Sequence, residues 1–136
     1  MVEVDKKKQG KANRRKGYNF EVKVRKKFED EGWIVDKWTN NIDLEKGEIC
    51  KAKHNRFHGS TGFPDFVIMK RNGEGLYDVM LVECKMKKYL DKTETAKIHL
   101  LEDEGFSCFV AYTDADKQIT LRKVKREVET TLPKSL

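Results

Sequence analysis

No apolar run in this chain approaches the length of a membrane span, which excludes a transmembrane helix. Met1 to Lys16 is basic and holds no apolar stretch, so no secretory signal peptide is expected. Cysteine is scarce. Cys50, Cys84 and Cys108 form no CxxC pair and their number is odd. That argues against a disulfide framework and for a reducing, cytoplasmic compartment. No internal repeat is visible. Charge, by contrast, is abundant: 38% of the 136 residues are charged, as many as are hydrophobic. The length fits one domain with a compact core and a densely charged surface. A net charge of +6 and a pI of about 9.2 suit a polyanionic partner, though a solvated surface has the same composition.

Residues 1–16 carry Lys6, Lys7, Lys8, Lys11, Arg14, Arg15 and Lys16 and almost nothing apolar. They are expected to form a flexible basic arm, with a single domain over 17–136. Gly17 to Glu31 reads as a helix with Phe20, Val24 and Phe28 on one stripe and Gly32 as its stop. Trp33 to Trp38 reads as a strand, its tryptophans packing or lining a dimer interface. Thr39 to Gly62 is expected to be a long irregular loop. Phe66–Met69 and Val79–Cys84 read as buried antiparallel strands joined at Lys70–Gly75, where Asn72-Gly73 is a strong hairpin signal. Glu94 to Glu104 reads as a helix with Thr93 as N-cap. Ala96 and Leu100, with Ile98 or Leu101, face inward. Phe106–Tyr112 and Ile119–Leu121 follow as strands, and Val124–Leu132 as a closing helix. The expected fold is α/β, a mixed central sheet flanked by helices.

Three charges stand out against this apolar pattern. Asp65, in Gly62-Phe63-Pro64-Asp65, opens a buried strand. Glu83 and Lys85 lie two apart at the end of the next strand, so they leave the same face. Charges in such a run are costly unless they pair or bind something. Glu21, three residues before Val24, adds a carboxylate to the core-facing side of the first helix. Carboxylates in this number suit Mg²⁺ (or Mn²⁺), which takes oxygen ligands at about 2.0–2.1 Å and keeps several waters. Asp65 and Glu83 are candidate direct ligands, with the Cys84 backbone carbonyl as a third and Glu21 acting directly or through water. Lys85 would orient the attacking water or contact the scissile phosphate. As a general base it would need a strong downward pKa shift.

The array Glu21, Pro64-Asp65 and Glu83-x-Lys85 resembles the PD-(D/E)xK nuclease superfamily. Within it, Arg15-Lys16-Gly17-Tyr18-Asn19-Phe20-Glu21 and Glu83-Cys84-Lys85-Met86-Lys87-Lys88 are most similar to segments of archaeal Holliday junction resolvases, over about Arg15 to Lys123. The resemblance implies a restriction-endonuclease-like fold, a homodimer, Mg²⁺-dependent cutting of branched DNA in recombination and repair, and an active site of Glu21, Asp65, Glu83 and Lys85. Ser60 is the nearest match to an assisting serine in that family. The loop over 39–62 and the hairpin over 70–78 are longer than the family usually has. Gly59 to Asp65 also resembles VRR-NUC and restriction-type branches, which act on duplex, flap or single-stranded DNA. A nucleic-acid-binding module without catalysis is the alternative of another class.

DNA contacts are expected from Arg14, Arg15 and Lys16, from Lys53, Arg56 and His58 in a basic loop, and from Lys87 and Lys88 after the catalytic strand. Cys50, His54 and His58 recur every four residues. They would bind zinc only if the segment were helical and a further ligand were present.

Overall fold

The computed structural model describes residues 2–51 and 62–124, with backbone alone for 2–8. The chain runs α1 (Val2–Asp30), β1 (Ile34–Lys37), β2 (Asn40–Asp43), β3 (Glu48–Lys51), β4 (Phe66–Arg71), β5 (Tyr77–Cys84), α2 (Lys92–Asp103), β6 (Ser107–Thr113) and β7 (Ile119–Lys123). Five strands form one mixed sheet in the order β1-β4-β5-β6-β7, and β2 and β3 form a separate hairpin. Only β5 and β6 run parallel within the sheet, and α2 joins them.

Side chains alternate between the two faces along each strand. Val82, Ile68 and Ala111 therefore meet Phe20, Val24 and Phe28 of α1 in one cluster. Leu81 and Val110 meet Ile98 and Leu101 of α2 in another, which also takes Ile42 and Phe63. The spacing of Phe20, Val24 and Phe28 gives α1 a single apolar stripe, and each such buried side chain contributes about 1.5–3 kcal/mol. The helix stops at Gly32, whose φ of +92° suits glycine, while the Trp33 N–H reaches back to the Phe28 carbonyl at 3.0 Å. Trp33 packs edge-on to Phe28, and Trp38 edge-on to Phe106. Among the described residues, no helix is long and apolar enough to cross a membrane.

Four sequence expectations need correction. The segment before Gly17 is helical, so α1 begins at Val2 rather than after a flexible arm. Its lysines, arginines and glutamine are good helix formers, and they extend a helix already nucleated by the packed Phe20–Phe28 stripe. The loop expected from Thr39 contains the β2–β3 hairpin, with Ile42 opposite Ile49 and Gly47 turning at φ +65°. Helix α2 is capped by Asp91, not Thr93. Asp91 accepts from the Glu94 N–H at 2.7 Å, and Glu94 accepts from the Asp91 N–H at 3.0 Å, a reciprocal box. Its inward residues are Ile98 and Leu101, while Ala96 is exposed. Beyond Val124, the expected closing helix lies outside the described residues.

Candidate active site

The site forms at one end of the sheet, where β1 finishes, β4 starts and β5 finishes. The register pairs Lys37 with Phe66 and Phe66 with Val82. Asp65, one residue before Phe66, therefore stands beside Glu83, one residue after Val82. Its approach is tightly guided. The Phe63 N–H donates to the Asn40 carbonyl at 2.9 Å, and the Trp38 N–H to the Asp65 carbonyl at 3.2 Å. A Cβ on Gly62 would lie 2.2 Å from the Trp38 carbonyl oxygen and 2.4 Å from that of Asn40, so only glycine fits there. The Phe63–Pro64 peptide is cis.

Asp65 is the hub. Its Oδ2 accepts the Cys84 N–H at 2.8 Å, and its carboxylate lies close enough to Glu21 and Glu83 to raise the pKa of both. Glu83 is only 6% exposed and is the one buried charged residue among those described. Burial first, then the hydrogen bond and charge of Asp65, push its carboxyl up to about 11. Burial and the same neighbour raise Glu21 to about 7, against a smaller lowering by Lys37. Burial and the three carboxylates also push the Cys84 thiol up, so it stays neutral. Removed from water beside a like charge, Glu21 and Glu83 both favour their protonated forms.

Lys85 follows directly. Its backbone N–H donates to the Ala111 carbonyl at 2.9 Å, and its ammonium pairs with Glu94 of α2. Burial lowers the Lys85 pKa, but the hydrogen bond and charge of Glu94, helped by Glu83 and Asp91, outweigh it and leave it raised. Lys85 is therefore an ammonium, which disfavours it as a general base in this state. Lys87 and Lys88 are exposed beyond it. Arg122 of β7 holds their segment by donating through Nε to the Lys88 carbonyl at 2.8 Å. Arg14, Arg15 and Lys16 are exposed on α1, on the N-terminal side of Glu21.

The structure brings together Glu21, Asp65, Glu83, Cys84 and Lys85. Ser60, Lys53, Arg56, His54 and His58 lie outside the described residues. Cys50 is exposed on strand β3, so it begins no helical metal motif. Two neighbours went unread in the sequence: Lys37, which ends β1, and Glu94. The Asp91-x-x-Glu94 spacing was the available signal for the second, since it marks a helix start.

Carboxylate oxygens, with a backbone carbonyl such as that expected from Cys84, would suit Mg²⁺ or Mn²⁺ better than zinc. Among the described residues, no three His, Cys, Asp or Glu side chains stand in an arrangement that could hold a metal ion. A groove of about 570 Å³ lies elsewhere, lined by Asn41, Lys46, Cys50, Lys51 and Lys97 among others. That groove contains none of the three clustered acids. Comparisons with protein-family models, curated proteins and solved structures found no match.

Proposed function

We propose that this protein is a Mg²⁺- or Mn²⁺-dependent DNA endonuclease with a restriction-endonuclease-like core, selective for branched DNA and acting as a homodimer. The observation that carries the proposal is the meeting of Glu21, Asp65 and Glu83 at one strand end with the Lys85 ammonium beside them. Selectivity for branches and the dimer rest on the likeness to junction resolvases.

The donor set fits a hard divalent cation. Burial first, and then the neighbouring Asp65, favour the protonated forms of Glu21 and Glu83. Giving up those protons would let Glu83 and Asp65 act as ligands, with the Cys84 carbonyl and Glu21 alongside. A bound cation would supply an activated water and stabilise the charge of the phosphoryl transition state. Lys85, as an ammonium, would contact the scissile phosphate or orient the water. Lys87, Lys88, Arg14, Arg15 and Lys16 would neutralise flanking phosphates, giving salt-sensitive binding without base readout.

The test is a panel of labelled four-way, flapped, single-stranded and linear DNAs, with and without Mg²⁺. Paired nicks in the four-way junction, roughly 10²-fold or more reduced by Asp65→Asn or Glu83→Gln with DNA binding retained, are expected. Equal cutting of linear duplex would move the substrate to a restriction-type or VRR-NUC-type enzyme. Undiminished cutting by both variants would remove the proposed site.

A further inference from the structure

Glu94 has no part in the chemistry outlined above, yet its carboxylate links the start of α2 to the site. One oxygen, Oε1, accepts the Asp91 N–H at 3.0 Å. The other, Oε2, pairs with the Lys85 ammonium. The side chain also lies near Glu83, whose pKa it helps to raise. It is held in place from below: Asp91 accepts the Glu94 N–H at 2.7 Å, and the Thr95 hydroxyl donates to the Asp91 carbonyl at 2.8 Å. The helix start and the carboxylate therefore move as one body.

Lys85 needs such a body. Its backbone is anchored to Ala111, but a lysine side chain has four rotatable bonds and many rotamers open to it. Left alone beyond the end of β5, the ammonium would sweep through solvent. The side chains of Lys85 and Glu94 are 31% and 17% exposed, so the pair is screened less than a surface pair. We propose that Glu94 is the positioning residue of this site, a carboxylate fixed to the first turn of α2 that holds the Lys85 ammonium beside Glu83. The role rests on the nuclease function proposed above.

Glu94→Gln separates the two jobs of this side chain. Its amide oxygen still accepts from Asp91, so the helix start survives, while the charge facing Lys85 is gone. At saturating Mg²⁺, kcat on the best DNA of the panel should fall on the order of tenfold to a hundredfold, with KM for DNA nearly unchanged. In a Lys85→Ala background the same change should cost nothing further, because Glu94 acts through Lys85. Thr95→Ala loosens the same helix start but leaves the Glu94 charge facing Lys85, so it should cost kcat clearly less than Glu94→Gln. An unchanged or raised kcat in Glu94→Gln, full additivity with Lys85→Ala, or an equal loss in Thr95→Ala would each overturn the assignment. A second readout needs no activity. In ¹⁵N-lysine spectra the held Lys85 ammonium should give a slowly exchanging signal that Glu94→Gln abolishes. If the wild type cuts no DNA, the nuclease function fails, and this signal alone decides the pair: persistence in Glu94→Gln overturns it.

Discussion

The two ends of the β4–β5 pair carry similar numbers of charges under opposite conditions. At the turn end, Lys70 lies opposite Asp78, the residues are exposed, and the Lys70 ammonium donates to the Glu31 carbonyl at 2.9 Å. Asn72 closes the loop, accepting the Glu74 and Leu76 N–H groups at 2.9 and 3.2 Å and offering its amide to Asp78. Opposite charges face each other in water there, and the local groups satisfy one another. At the other end, Asp65 and Glu83 put like charges side by side away from water, with Glu21 closing in from α1. The same ladder is comfortable at one end and strained at the other. Strain of this kind is what a binding site stores, because a ligand of opposite charge relieves it.

The largest expected effect tests that contrast through stability. Glu83 has its folded pKa raised from 4.5 to about 11, so the stability it contributes is full below about 4.5 and is lost as pH rises toward 11. At pH 7, folding must take up a proton that the unfolded chain has released. Glu83→Gln removes that cost and should stabilise the metal-free protein by about 3 kcal/mol in urea unfolding at pH 7, with little gain near pH 4. A destabilised Glu83→Gln at pH 7 would mean that the two ends do not differ.

Cation binding is the next probe. Protons and metal compete for the same oxygens, and Glu21 loses its proton near pH 7. The rise in melting temperature on adding Mn²⁺ should therefore be larger at pH 8 than at pH 5.5, and Asp65→Asn should remove it. An equal rise at both pH values would place the ion elsewhere. The smallest effect is at the turn end. Asn72→Ala should cost about 1 kcal/mol in unfolding and leave cleavage unchanged. A loss of cleavage there would show the ends to be coupled.

What could be read ahead of the structure followed regular periods. The Phe20–Val24–Phe28 stripe announced α1, and alternation along β5 put Glu83 and Lys85 on one face. The β2–β3 hairpin was hidden because each short strand offers little beyond one apolar residue, Ile42 or Ile49, to set a pattern. The helical reach of α1 back to Val2 was hidden by a polarity that resembles disorder. Glu94 was hidden for a different reason. Its partner lies nine positions away across a bend, and only the folded chain brings carboxylate and ammonium together.

The parallel pairing of β5 and β6 has a consequence for how such a site can be inherited. Parallel neighbours need a long crossover, and the crossover must depart from the C-terminal end of the first strand, where Lys85 sits. Its first helical turn supplies Glu94. The ammonium and its anchor are thus encoded within one short block, 83–94. Grafting that block whole would carry this half of the site intact, whereas a splice made inside it would part lysine from carboxylate.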